Sequence, residues 1–125
     1  MSHPTVLITA SNPAVAEHVS EALARYGYET FTAGNEAEAL AVLASKRRVG
    51  VVVADVGAGG LSLAQEARKT NPKIGVIYTA AGPHQIPAGA KVKDAPVLRS
   101  PYVAHQLASV ISGLGRRVLD QPVAA

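Results

Sequence analysis

Apolar runs alternate with helix-period segments from one end of the chain to the other. The run TVLITA, Thr5 to Ala10, reads as a strand. After it, Val15, Val19, Ala22, Leu23 and Tyr26 fall at i, i+4, i+7, i+8 and i+11, which predicts one face of a helix. Asn12 suits the N-cap, Pro13 sits at the first helical position where its missing N–H does no harm, and Gly27 marks the stop. YETFTAG (28–34) predicts a second strand and NEAEALAVLASKRR (35–48) a second helix, with Asn35 and Glu38 spaced as a capping box. VGVVVAD, Val49 to Asp55, is apolar on both faces, as a central parallel strand is. A third helix is expected from about Leu61 to Lys69, ending at TNP, and KIGVIYTA (73–80) is the fourth strand.

The next stretch, AGPHQIPAGAKVKDA, carries two prolines and two glycines, so any helix in it is short or irregular. PVLRS (96–100) predicts a fifth strand. A last helix starts near Pro101, where Val103, Leu107, Val110, Ile111 and Leu114 repeat the spacing of the first. Gly113 and Gly115 weaken its end by about 1 kcal/mol each relative to Ala. Five strand–helix units of this kind define an α/β protein, a doubly wound parallel sheet with helices on both faces. No repeat or linker interrupts it, so one domain is expected over 1–120, with 121–125 a frayed tail. In such sheets reactive groups gather beyond the carboxyl ends of the strands. Asp55, the one carboxylate closing an apolar strand, stands at such an end.

Composition removes several functional classes. The chain has 125 residues, 48% of them apolar and 17% charged, which is ordinary globular composition. Five aromatics leave the core to Val, Leu, Ile and Ala. The net charge of +3 comes from scattered groups (Lys46-Arg47-Arg48, Lys91 and Lys93, Arg116-Arg117), not from one stripe with interleaved aromatics, so nucleic-acid binding is not expected. Without cysteine there is no disulfide framework and no thiolate chemistry. No run of about 18 apolar residues exists to span a membrane, and the start lacks the pattern of a secretory signal. A soluble cytoplasmic protein is the expectation. His3, His18, His84 and His105 show no metal-ligand spacing, and His18, Glu17 and Glu21 read as surface groups. GAGG after Asp55 lacks both the G-x-G-x-x-G context and Walker A, and TASNPA is a poor flavin-phosphate loop. No nucleophile–base–orienter set appears, so the chain is not expected to be an enzyme.

Read in order, the residues resemble the receiver domain of bacterial response regulators, the CheY-like proteins. VLITASNPAVAEHVSEAL and GYETFTAGNEAEALAVL resemble the first two strand–helix units of that family. VVVADV resembles the strand bearing the phosphorylated aspartate, IYTA the strand bearing the switch Thr/Ser, and VLRSPY the strand ending in Lys-Pro-aromatic. The resemblance covers almost the whole chain and implies the flavodoxin-like, CheY-like strand order 2-1-3-4-5. It implies that Asp55 is the phosphoacceptor, that Thr79 and Ser100 are the switch and phosphoryl contacts, and that Mg²⁺ would be held at Asp55. It also exposes departures. The family's acidic pair falls on Ala10 and Ser11, its lysine falls on Ser100, and its fifth-strand aromatic falls on Val97.

Those departures change the chemistry. Phosphoryl transfer is mostly positioning and electrostatics. Mg²⁺ is usually held by one or two carboxylates with water and substrate, and here Asp55 is the one carboxylate left. Losing one preorganised donor typically costs about 3 kcal/mol, and both cations of the family's clamp are affected. Arg99 does not replace the lysine, because neighbours on a strand point to opposite faces. The expected site is one carboxylate with three hydroxyls, Asp55 with Ser11, Thr79 and Ser100, satisfied without metal or other cofactor. Plainer roles stand beside these. Ser100 also suits an N-cap, Ser11 the shaping of a loop, Thr79 a strand end, and Asp55 backbone bonds alone.

Two functions follow. One is a stand-alone receiver that accepts phosphate on Asp55 within a two-component phosphorelay. The other is a pseudo-receiver, an interaction module that works without phosphorylation. Either version signals by docking on a sensor histidine kinase or another signalling protein, as a monomer or weak homodimer, most readily through the last helix and the fifth strand.

Overall fold

In the computed structural model, residues 4–45, 49–82, 86–87, 89–99 and 102–120 are described, with side chains to residue 113. Strands β1 (Thr5–Thr9), β2 (Thr30–Ala33), β3 (Val49–Asp55), β4 (Gly75–Ala80) and β5 (Val97–Arg99) alternate with helices α1 (Pro13–Arg25), α2 (Glu36–Ser45), α3 (Gly60–Thr70) and α4 (Ala104–Asp120). All strand pairs are parallel, and the order is β2-β1-β3-β4-β5, as the sequence leads one to expect. The chain starts at β1, winds outward to β2, then crosses back to β3 and continues to β5. The reversal between β1 and β3 opens a crevice at their carboxyl ends.

The central strands bury both faces because their residues alternate between two cores. Val6 and Ile8 of β1, Val51 and Val53 of β3, and Ile77 of β4 pack with Leu23 of α1 and Leu107 and Ile111 of α4. The residues between them, Leu7, Val52, Ala54, Val76 and Tyr78, pack with Leu63, Ala64 and Ala67 of α3 and Ala39 of α2. Fully burying a Val, Leu or Ile contributes about 1.5–3 kcal/mol. The two cores therefore fix the sheet between its helix layers mostly with aliphatic side chains, but Tyr28 and the fully buried Tyr78 join them, contrary to the expectation of a core of Val, Leu, Ile and Ala alone.

Helix α1 begins as expected, with Asn12 Oδ1 accepting from the Ala14 N–H at 3.0 Å and Pro13 first in the helix. Gly27 follows it with φ +92°. Its buried face differs from the expected one. Ala16, Val19 and Leu23 face the core, whereas Val15 is 43% exposed and Tyr26 lies outside the helix at its C-cap. The small side chain of Ala16 lets the helix sit close to the sheet, so the buried stripe is narrower than the hydrophobic pattern and turned by one residue. Tyr26 instead reaches α4, its hydroxyl 3.3 Å from His105 Nδ1. In α2, Asn35 Oδ1 accepts from the Glu38 N–H at 2.9 Å. The Glu38 carboxylate turns back to the Gly34 N–H at 2.7 Å, one residue beyond the usual capping-box partner.

Between β4 and β5 the described residues form turns and bends and no helix. The stretch is held by side-chain and backbone bonds instead. The buried Tyr78 hydroxyl accepts from the Val92 N–H at 2.9 Å, and the Tyr78 N–H donates to Pro96 O at 2.9 Å. Helix α4 starts at Ala104, three residues after the expected start at Pro101. Val103 is 61% exposed and precedes the helix, its N–H held by Gln106 Oε1 at 3.1 Å. Leu107 and Ile111 carry the buried face. Leu114 and the tail at 121–125 lie outside the described side chains and residues. No helix among the described residues is long and apolar enough to cross a membrane.

Candidate functional site

Asp55 closes β3 and Thr79 is its register partner on β4, so the sheet itself sets the two side by side. The Thr79 hydroxyl donates to Asp55 Oδ1 at 3.3 Å. The Gly57 N–H reaches the same oxygen at 3.4 Å, which makes Asp55 the N-cap of the short 3-10 turn Val56–Ala58. Both bonds are long against the usual range, so the carboxylate is held loosely. Thr79 is buried and Asp55 is half-buried.

A second threonine, Thr9 at the end of β1, belongs to the same site and was not foreseen. Its hydroxyl donates to Val53 O at 2.7 Å and accepts from the Asp55 N–H at 2.9 Å. The signal for it lay in the sequence. Thr9 is a polar residue closing the buried run VLIT, and such a hydroxyl needs partners. Tyr102, the aromatic of the VLRSPY motif, was given no place in the expected site. It packs against the core face of α1 and α4. Burial, and after it the charge of Asp55, pushes its phenol pKa up.

The remaining residues named from the sequence are placed differently. Ser11 is exposed, and the described bonds to the Asp55 carboxylate come from Thr79 and Gly57. The expected ring of hydroxyls therefore contains Thr79 but not Ser11. Ala10 is buried, and its N–H bonds to Ala33 O at 3.2 Å, toward β2. Ser100 lies outside the described residues. Arg99 is exposed on the edge strand, as is Val97, which pairs with Tyr78.

Helix α3 approaches the site at van der Waals limits. A Cβ on Gly60 would come within 2.6 Å of Asp55 O and 2.7 Å of the Ala54 carbonyl carbon. Gly59 precedes it at φ +81°, which favours glycine. Ser62 of α3 donates to Glu36 Oε2 of α2 at 2.5 Å, tying the two helix N-termini together beside the turn.

Mg²⁺, which the resemblance implies, demands a near-octahedral set of oxygens. Asp55 brings one carboxylate, Ala10 brings a methyl group, and Ser11 brings a neutral hydroxyl. Among the described residues no group of three or more His, Cys, Asp or Glu side chains is placed to hold a metal ion. The donor set does not fit a resident Mg²⁺.

No protein-family model and no curated protein matches the chain. Solved structures do match its fold. A response regulator receiver protein from Sinorhizobium medicae superposes with a TM-score of 0.81 at 22% identity, covering 90% of this chain and 94% of that one. The chemotaxis response regulator CheY4 of Vibrio cholerae gives 0.78 at 23% identity, covering 90% and 99%. The response regulator TrrA from Thermotoga maritima, in complex with Mg²⁺-BeF, gives 0.77 at 26% identity, covering 89% and 98%. The chain has the CheY-like receiver fold.

Proposed function

We propose that this chain is a receiver module of two-component signal transduction. It docks on a sensor histidine kinase or another signalling protein, and Asp55 occupies the phosphoacceptor position. The observation that carries the reading is the pairing of Asp55 with Thr79 at the carboxyl ends of adjacent central strands of a receiver fold. The site supports best a module that docks without a stable phosphoryl group on Asp55. A phosphorylated carboxylate places several oxygens with negative charge in a half-buried crevice, and their stabilisation calls for preorganised cations or donors. Here Ala10 and Ser11 replace one source of positive charge, the metal ligands, and Ser100 replaces the other, the lysine. The module carries out no chemistry of its own and needs no cofactor.

The docking reading is tested by calorimetric titration of the chain with histidine kinases of its source organism. One kinase is expected to bind, and Asp55→Asn is expected to bind it equally well. Failure of every kinase to bind would rule out the kinase as the partner, and binding that requires phosphodonor and an intact Asp55 would overturn docking without phosphorylation. The second reading is a phosphorelay receiver that accepts phosphate on Asp55. It is favoured by Thr79, whose hydroxyl already points at the carboxylate that would be modified.

A further inference from the structure

We propose that Thr9 is a positioning residue for Asp55, acting through a hydroxyl that clamps the end of β3 to β1. The proposal rests on reading Asp55 as the functional carboxylate, and deepens it. Strand pairing between β1 and β3 runs as far as Ile8 opposite Val53. The Ala10 N–H faces β2, bonding to Ala33 O, as the Val6 N–H bonds to Glu29 O on the same side. The Thr9 side chain continues the β1–β3 junction in place of the backbone. It is 1% exposed, donates to Val53 O at 2.7 Å and receives the Asp55 N–H at 2.9 Å. These two bonds hold the Val53 carbonyl and the Asp55 N–H, on either side of Ala54, so they set the direction in which β3 leaves the sheet. Both are shorter than the bonds that reach the carboxylate directly, at 3.3 and 3.4 Å. The backbone of Asp55 is therefore held more firmly than its side chain. Its placement toward Thr79 follows from where Thr9 puts the backbone. Only Thr and Ser offer a hydroxyl on so short a stem, able to donate and accept at once.

The test uses the full chain without phosphodonor, so that its outcome is independent of whether Asp55 is ever phosphorylated or a kinase ever binds. The χ1 rotamer of Asp55 is read from three-bond NMR couplings, and exchange of its amide is followed beside that of Val53. In Thr9→Ser the hydroxyl remains, and a single Asp55 rotamer is expected, as in the unsubstituted chain. In Thr9→Val the couplings are expected to average over rotamers, and the Asp55 amide to exchange about fivefold faster or more, as for a lost hydrogen bond. If Thr9→Val does not fold, Thr9→Ala is compared with Thr9→Ser in its place, with the same expectation for the variant that lacks the hydroxyl. Unchanged couplings and exchange in a folded hydroxyl-free variant would overturn the proposal, even if that variant were less stable. So would averaging in Thr9→Ser equal to that of the hydroxyl-free variant.

Discussion

Asp55 is met from two strands and a turn, by Thr9 from β1, Thr79 from β4 and Gly57 from the turn, and its charge acts on the Tyr102 phenol beyond β5. Gly60 shows how little room is left behind it. Alanine is a better helix former than glycine by about 1 kcal/mol, so at an open position Gly60→Ala would stabilise α3. Here the added carbon meets backbone atoms at 2.6–2.7 Å that cannot rotate away. Gly60→Ala is expected to lower stability by roughly 1–3 kcal/mol, the usual cost of overpacking, read as a drop in the urea midpoint. Tyr102 gives a pH prediction. An unfolded tyrosine loses its proton near pH 10, whereas burial and then the charge of Asp55 raise the pKa of the folded phenol. Above pH 10 the unfolded chain thus binds fewer protons than the folded one. The contribution of the phenol is full below pH 10 and is lost as pH rises through the raised folded value. Denaturation midpoints measured from pH 8 to 11 are expected to fall less steeply in Tyr102→Phe than in the parent chain. Spectrophotometric titration should also show one phenol titrating earlier in Asp55→Asn.

At the scale of elements, helix starts were more legible than helix faces. The Asn12-Pro13 start and the Gly27 stop of α1 are local chemistry, written in adjacent residues, and the structure has both. Asn12→Ala is expected to cost about 1 kcal/mol, measured by thermal unfolding, through loss of the bond to the Ala14 N–H. The buried face of the same helix depends on how it docks. Val15 fits the hydrophobic period but lies on the flank, while Ala16, which is small, lies against the sheet. The start of α4 was expected at Pro101 because proline favours a first helical turn. Instead Val103 stays outside, and its carbonyl receives the Gln106 and Leu107 N–H groups. The site was legible where it depends on strand ends and obscure where it depends on cross-strand contacts. Asp55 and Thr79 close apolar runs that any reading of the chain marks. The bonds of Thr9 depend on the register that sets its hydroxyl between Val53 O and the Asp55 N–H, which strand order alone does not give. Ser11 was grouped with Asp55 from its position after β1, but it faces solvent.

For the whole molecule, the parallel five-stranded order and the two cores were readable because short apolar strands recur in order and every strand but β4 is followed by a helix. The likeness to solved structures at 20–26% identity shows that this fold is kept while most of the sequence changes. Chemistry is less tolerant than architecture. A fold that positions one carboxylate correctly does not by that alone supply the charge that phosphoryl transfer needs. Restoring the missing acids is the complementary experiment. Ala10→Asp with Ser11→Asp is expected to bind Mg²⁺ more tightly than the parent chain does, read by calorimetry. The Ala10 position is buried, so some loss of stability should accompany it. The most direct measurement is the intact mass of the parent chain after incubation with a small phosphodonor and Mg²⁺. The account predicts no stoichiometric increase by the mass of one phosphoryl group. A stoichiometric increase that disappears in Asp55→Asn would contradict it.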